Sequence, residues 1–261
     1  ELRYTQTQTP VATFRVAVDR DFAPKDGGEP VTLHRPYEAI PIDSTTHVWT
    51  VQTPGAVTGD VHQYTTEYVC SRCGQTKTDR LCAGEIFTDM PADSSYSHNP
   101  IDWAYFNGIT QGTSAITFGP KGTCTRAQIV TFLWRANGSP EPTETENPFE
   151  DVHPGDYYYE AVLWAVENYI TLGTSETTFS PGDGCTRAQV VSFLWRAEGK
   201  SESGLEDTPF EDIHSSAYYY KAVLWAVEHG ITSGTTATTF SPADTCTREQ
   251  IVTFLYRALA E

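Results

Sequence analysis

The sequence predicts a mainly α-helical fold built from three copies of one helix–loop–helix unit, preceded by a smaller region that is β-rich or irregular. Three observations carry this. Trp103, Trp164 and Trp225 recur at intervals of 61 residues, as do Gly112, Gly173 and Gly234, and Phe118, Phe179 and Phe240. The stretches GTCTRAQIVTFLWRA, GCTRAQVVSFLWRA and TCTREQIVTFLYRA share one amphipathic helical pattern. Repeated units of this size cannot bury their apolar faces alone, so the three are expected to pack together.

The units run over residues 87–138, 149–199 and 210–261, and open with FTD, FED and FED at Phe87, Phe149 and Phe210. A one-residue slip before Trp103 is the only irregularity. SPEPTETEN and KSESGLEDT, rich in Pro, Ser, Glu and Thr, read as linkers. The first helix of the middle unit is expected over 157–170; Ala161 to Val166 are all apolar, which implies burial on several faces. A turn-rich loop, GTSETTFSPGDG, follows, with a short extended piece at Thr178–Phe179.

The second helix announces its own start. Thr125 is a good N-cap, and Gln128 can return a hydrogen bond to the cap's backbone N–H. Cys124 before the cap pairs with Ile129 on the next turn as a hydrophobic staple, and Cys185/Val190 and Cys246/Ile251 repeat it. These three cysteines read as small buried hydrophobes, with a shared metal site as the weaker alternative. Equivalent positions in separate repeats need not approach each other.

Arginines sit at both ends of this helix. Arg135, Arg196 and Arg257 lie near its C-terminus, where the helix dipole favours a cation and a structural role suffices. Arg126, Arg187 and Arg248 lie at its start, where a cation is disfavoured, so something anionic should compensate. One solution is an internal salt bridge to Asp89, Asp151 or Asp212. The other is an anion site, in which free backbone N–H groups at the helix start and an arginine fork receive a carboxylate or phosphate.

The three units resemble S-layer homology (SLH) domains. The matching stretches are FEDVH, AVLWAVE, YITLG, TFSP and TRAQ in the middle unit, and FEDIH, AVLWAVE, GITSG, TFSP and TREQ in the last. The first unit carries FTDM, IDWAYF, GITQG, TFGP and TRAQ. The resemblance covers about two-thirds of the chain. It implies a pseudo-trimeric arrangement of the three units within a monomer, with grooves between neighbours that bind a secondary cell-wall polysaccharide, often through a pyruvylated, anionic sugar. The residues it implicates are Arg126, Arg187 and Arg248, then Trp103, Trp164 and Trp225, Gly112, Gly173 and Gly234, and Asp89, Asp151 and Asp212. For the tryptophans, a core position is an equal alternative. The family's Glu is Gln here at positions 128, 189 and 250, and Glu249 stands where the other units have Ala. The first change removes a negative charge from the ligand's surroundings; the second is expected to weaken its groove for an anion.

The N-terminal third divides at about residue 46. Residues 1–46 alternate like a strand near Val11–Val18 and are then broken by prolines. Residues 47–84 form a small Cys/His module with a C-x-x-C-G knuckle at Cys70 and Cys73, a turn able to hold zinc. His47, His62 and Cys82 compete for the remaining positions, His47 and Cys82 completing the favoured set. A structural zinc, a disulfide and free thiols all remain open, and a zinc hydrolase is the weakest reading. Among the other histidines, His153 and His214 occupy equivalent loop positions and read as hydrogen-bonded turn residues.

Composition bounds the function. With 17 Lys and Arg against 34 Asp and Glu, the net charge of −17 argues against nucleic acid or anionic membranes as partners. There is no apolar run of membrane-spanning length, and no nucleophile elbow, H-E-x-x-H or P-loop motif. With no initiator Met and no signal-peptide pattern, the chain reads as a mature product or an excised fragment. The expectation is a non-enzymatic, extracellular bacterial module that anchors a surface protein to the cell wall, the alternative being a protein–protein scaffold with degenerate grooves.

Overall fold

The computed structural model describes residues 13–14, 18–22, 31–35, 40–41, 48–57, 64–72, 74–143 and 146–260. The chain divides into two compact units, one formed by Glu1–Pro54 with Glu67–Thr78 and the other by Gly55–Thr66 with Asp79–Glu261.

Among the described residues of the N-terminal third the elements are short strands. β1 (Thr13–Phe14) pairs with β4 (Ile40–Pro41), and β2 (Val18–Phe22) pairs with β3 (Val31–Arg35) in the register Val18↔Arg35 to Phe22↔Val31. Within the stretch expected to alternate around Val11–Val18, the described residues Thr13, Phe14 and Val18 are in strands. A three-stranded sheet follows in the order β5 (Trp49–Val57), β6 (Tyr64–Cys70), β7 (Thr76–Leu81). The turn between its last two strands closes on itself, Gly74 N–H donating to the Cys70 carbonyl at 2.8 Å, with Gly74 at φ +71°. Lys77 Nζ lies 4.8 Å from the centre of the Tyr68 ring and 5.3 Å from that of Trp49. His47, His62 and Cys73 lie outside the described residues, so the knuckle's ligand set rests on the sequence alone.

The helical part contains α1 (His98–Phe106), α2 (Arg126–Ala136), α3 (Tyr159–Glu167), α4 (Arg187–Ala197), α5 (Tyr220–Glu228) and α6 (Arg248–Leu259), two per repeat. The first helix of the middle repeat is shorter than its sequence pattern suggests. It stops at Glu167 because the Asn168 amide donates back to the Trp164 carbonyl and Tyr169 turns to φ +56°. Ala161 to Ala165 are all buried, as a run apolar on every face requires.

The repeats interlock instead of standing side by side. Each first helix packs on the second helix of the preceding repeat: α3 on α2, α5 on α4, and α1 on α6, which brings the first and last repeats together. The second helices α2, α4 and α6 also meet one another, so the three repeats close a ring. At its centre the three cysteine backbones form a cycle. Cys124 N–H donates to the Cys246 carbonyl at 3.0 Å, Cys246 to Cys185 at 2.9 Å, and Cys185 to Cys124 at 2.9 Å. The equivalent cysteines, which sequence alone did not require to meet, approach each other through their peptides. Their side chains are fully buried, and burial pushes the Cys124 and Cys246 thiols up to about 12 and raises Cys185 as well. Among the described residues these thiols form no metal-ligating set, which leaves them as the small hydrophobes of the staple.

One seam of the ring differs. The junction of the last repeat with the first has no linker across it, and there Glu249 replaces the Ala127 and Ala188 of the other two. Buried Glu249 accepts from Tyr96 Oη at 3.0 Å and Ser97 Oγ at 3.2 Å, and pairs with Lys121 Nζ at 2.5 Å. Its charge is thus matched within the seam. Glu249→Ala should lower stability by roughly 1–3 kcal/mol through three lost bonds to a charged acceptor, read as a lower thermal midpoint. An unchanged midpoint would show that these contacts do not hold the seam.

Candidate functional site

The start of each second helix uses every donor it has. At α2, Thr125 N–H donates to Gln128 Oε1 at 3.1 Å and Gln128 N–H to Thr125 Oγ1 at 3.3 Å, which completes the capping box. The two donors between them go to the next repeat: Arg126 N–H to the Asp183 carbonyl at 2.9 Å and Ala127 N–H to the Pro181 carbonyl at 3.1 Å. The other junctions match, with Arg187 and Ala188 donating to Asp244 and Pro242, and Arg248 and Glu249 to Gly122 and Pro120. The free N–H groups expected at an anion site are therefore consumed. Whatever binds an anion here is a side chain.

The arginine side chains follow their backbones into the neighbour. Arg126 Nε donates to the Phe179 carbonyl at 2.8 Å, Arg187 Nε to Phe240 at 2.7 Å and Arg248 Nε to Phe118 at 2.9 Å. Each guanidinium also lies between two phenylalanine rings, for Arg126 at 4.8 Å from Phe179 and 5.5 Å from Phe193. Arg187 and Arg248 repeat the arrangement with Phe240 and Phe254, and with Phe118 and Phe132. These arginines are only 3%, 5% and 3% exposed for Arg126, Arg187 and Arg248, and burial holds each pKa below its ordinary value.

The expected salt bridge to the opening aspartates is absent among the described residues, and a relay stands in its place. Asp151 clamps the backbone of the loop, accepting from Phe179 N–H at 2.8 Å and Ser180 N–H at 2.7 Å. The Phe179 carbonyl then accepts from Arg126. Asp212 holds Phe240 and Ser241 in the same way, and Asp89 holds Phe118 and Gly119. The carboxylates thus fix the peptide that receives the arginine and leave the guanidinium charge unpaired. Nη2 of Arg126 is buried and has no hydrogen-bond partner among the described residues.

Above the arginines lie grooves between repeats. One, of about 410 Å³, is lined by Arg248, Arg135, Gln128, Thr110, Gly112 and Tyr157 among others; another, of about 390 Å³, by Arg187, Arg257, Gln250, Thr232, Gly234 and Tyr96. Each holds two guanidinium groups and no carboxylate, on a protein whose repeats carry nine Lys and Arg against 23 Asp and Glu. The equivalent residues at the third junction are Arg126, Arg196, Gln189, Gly173 and Tyr218.

The remaining sequence-derived candidates separate. Trp103, Trp164 and Trp225 are buried in the core at 8%, 7% and 4% exposure and line neither groove, Trp103 packing edge-to-face on Tyr256 at 5.7 Å. Their ring faces are covered by helix packing, the core position weighed from the sequence. Exposed Tyr157 and Tyr96, each contributed by the repeat after, occupy the walls of the two grooves instead, and exposed Tyr218 is their equivalent at the third junction. They recur at the same 61-residue interval as the other repeat positions, and that spacing was the available signal. Arg135, Arg196 and Arg257 also do more than offset a dipole. Arg135 donates to the Ile109 carbonyl and Arg257 to Ile231 while lining the grooves. Of the metal candidates, Cys70 ends β6, while Cys82 caps the 3-10 turn Ala83–Glu85 and lies 3.4 Å from His98 Nε2.

A closed ring of three helix–loop–helix repeats, with arginine-lined grooves at two of its junctions, defines a tandem-repeat helical module. The chain belongs to the S-layer homology domain family, whose model matches residues 86–130, 148–191 and 209–252, just over half of the chain. It is 29% identical over 176 residues to the surface-layer 125 kDa protein of Lysinibacillus sphaericus, covering 66% of this chain and 15% of that one. It is 26% identical, over the same share of this chain, to the S-layer protein of Bacillus thuringiensis subsp. finitimus, where the match covers 21%. An endoglucanase from Bacillus sp. (strain KSM-635) is 39% identical over 111 residues, 42% of this chain and 12% of that enzyme. The chain therefore spans about a fifth or less of these relatives' own lengths. Its family and these relatives make it a bacterial cell-surface protein, and among the described residues no helix is long and apolar enough to cross a membrane.

The glycines lining the grooves are required by the loop itself. Gly173 is at φ +84°, and a Cβ there would lie 2.5 Å from both Phe149 Cε1 and the Thr178 carbonyl. Gly173→Ala should destabilise the protein by roughly 2–4 kcal/mol, because backbone and a packed ring cannot both yield. Denaturant unfolding checks this; a loss below about 0.5 kcal/mol would show a loop soft enough to readjust.

Proposed function

We propose that the chain anchors a bacterial surface protein to the cell wall by binding an anionic secondary wall polysaccharide in its inter-repeat grooves, without catalysis. The observation that carries this reading is a buried guanidinium in each groove with no carboxylate to neutralise it. A desolvated cation held by dipoles and ring faces alone is stabilised by an incoming anion. The planar fork of the arginine favours a carboxylate, such as a pyruvyl ketal on a sugar. Gln128 and Gln250 fit this reading. Where the family pattern has Glu, they supply neutral amides on the groove wall, which removes a repulsion. Glu249 does not oppose the anion either, because Lys121 neutralises it within the seam. Tyr157, Tyr96 and Tyr218 offer exposed ring faces against which a sugar ring can stack.

Co-sedimentation with purified cell walls tests this. Binding should fall when the anionic polymer is chemically stripped and weaken as salt rises. The Arg126→Ala, Arg187→Ala, Arg248→Ala triple variant should lose binding but also melt lower, since each arginine bridges two repeats. Tyr157→Ala with Tyr218→Ala separates the two effects: binding should drop by about tenfold or more for the loss of ~1.5 kcal/mol of stacking, with the thermal midpoint nearly unchanged. Undiminished binding to stripped walls would point to a protein partner and overturn the reading.

A further inference from the structure

The first repeat departs from the other two beside Cys82. In the middle and last repeats the first helix carries Tyr159 and Leu163, or Tyr220 and Leu224; the equivalent residues of α1 are His98 and Asp102, both buried. A histidine and a carboxylate have replaced larger apolar groups on the one helix that a cysteine approaches. The linkers before the other repeats contain no cysteine.

The geometry points to a divalent metal site of the zinc class formed by Cys82 Sγ, His98 Nε2 and Asp102 Oδ2. The three ligand atoms lie within 4.8 Å of one another, with Sγ 3.4 Å and Oδ2 3.7 Å from Nε2. Zinc bond lengths in a tetrahedron require about 3.5 Å between sulfur and nitrogen and about 3.4 Å between nitrogen and oxygen, so the side chains already stand at ligand spacing. The surroundings aim them. His98 Nδ1 is 2.7 Å from the Pro91 carbonyl, which can only accept; Nδ1 therefore carries the proton and Nε2 presents its lone pair to the other two ligands. Ala83 N–H donates to Asp102 Oδ1 at 2.7 Å, fixing the carboxylate, and Gly84 N–H donates to Cys82 Sγ at 3.2 Å, as suits a thiolate. The arrangement is unlike a cysteine–histidine nucleophile, because the carboxylate sits at the same ring nitrogen as the sulfur instead of orienting the ring from Nδ1.

Binding replaces the Cys82 S–H proton, which leaves to solvent, with a metal–sulfur bond; water completes the fourth position at the partly exposed Cys82. The ion would tie the segment entering the repeats to α1, the helix that closes the ring against α6. The site shares no residue with either groove, and it assigns Cys82 to His98 and Asp102 instead of to the C-x-x-C knuckle.

Cobalt substitution tests it, in the full chain carrying Cys70→Ser and Cys73→Ser so that the knuckle is silent. The only other thiols, at Cys124, Cys185 and Cys246, are fully buried. Cobalt(II) should produce a thiolate charge-transfer absorption that one equivalent of zinc abolishes, and zinc should raise the thermal midpoint. Cys82→Ser in that background, a change of one partly exposed atom, should remove both effects while the far-ultraviolet circular dichroism stays unchanged. Absence of the absorption, or its survival in the Cys82→Ser chain, would overturn the site and leave Cys82, His98 and Asp102 as a hydrogen-bonded clasp.

Discussion

Everything in the helical part depends on how a second helix begins. The first turn of any helix exposes backbone donors, and most proteins satisfy them with a cap and water. Here the cap takes two, and carbonyls of the neighbouring repeat's loop take the rest. The first turn of each second helix is thus completed by the next repeat. The same loop accepts the arginine side chain, and an aspartate two turns of sequence logic away, in the opening FED, holds that loop rigid. Helix initiation, repeat packing and groove formation are one hydrogen-bonded event, made three times.

This coupling explains the arginine's position. At the start of an isolated helix it would oppose the dipole. In the ring, its own N–H and its Nε both point at carbonyl oxygens of the neighbour, so it sits among the negative ends of peptide dipoles. These partners offset the dipole without cancelling the charge. Two guanidinium groups thus line each of the two grooves with no carboxylate beside them, on a protein that is otherwise strongly acidic.

Much of this was legible in the sequence, and the failures follow a pattern. The capping box at Thr125 and Gln128 was correct because it is set by contacts within a few residues, and both members of each staple pair are buried in the core. The free N–H groups and the aspartate salt bridges, the two alternatives for the arginines, are not what the structure shows, because each depends on which repeat lies across an interface. Periodicity gives the unit and its copy number but says nothing about the neighbour's carbonyls. The tyrosines illustrate the limit from the other side: Tyr96, Tyr157 and Tyr218 are visible as a repeat, yet only the ring shows that Tyr157 and Tyr96 line grooves formed by other repeats. The Cys82 grouping was hidden because it lies where the repeat pattern breaks.

Linear arrays of helical repeats are open-ended; a unit can be gained or lost at either end with a small change in stability. The cycle of cysteine peptides forbids this. Each donates once and accepts once, and the third returns to the first. A fourth unit would find no vacant partner, and a second alone would leave two broken. The cycle is therefore complete at three, and a further unit could enter it only by breaking one of its bonds.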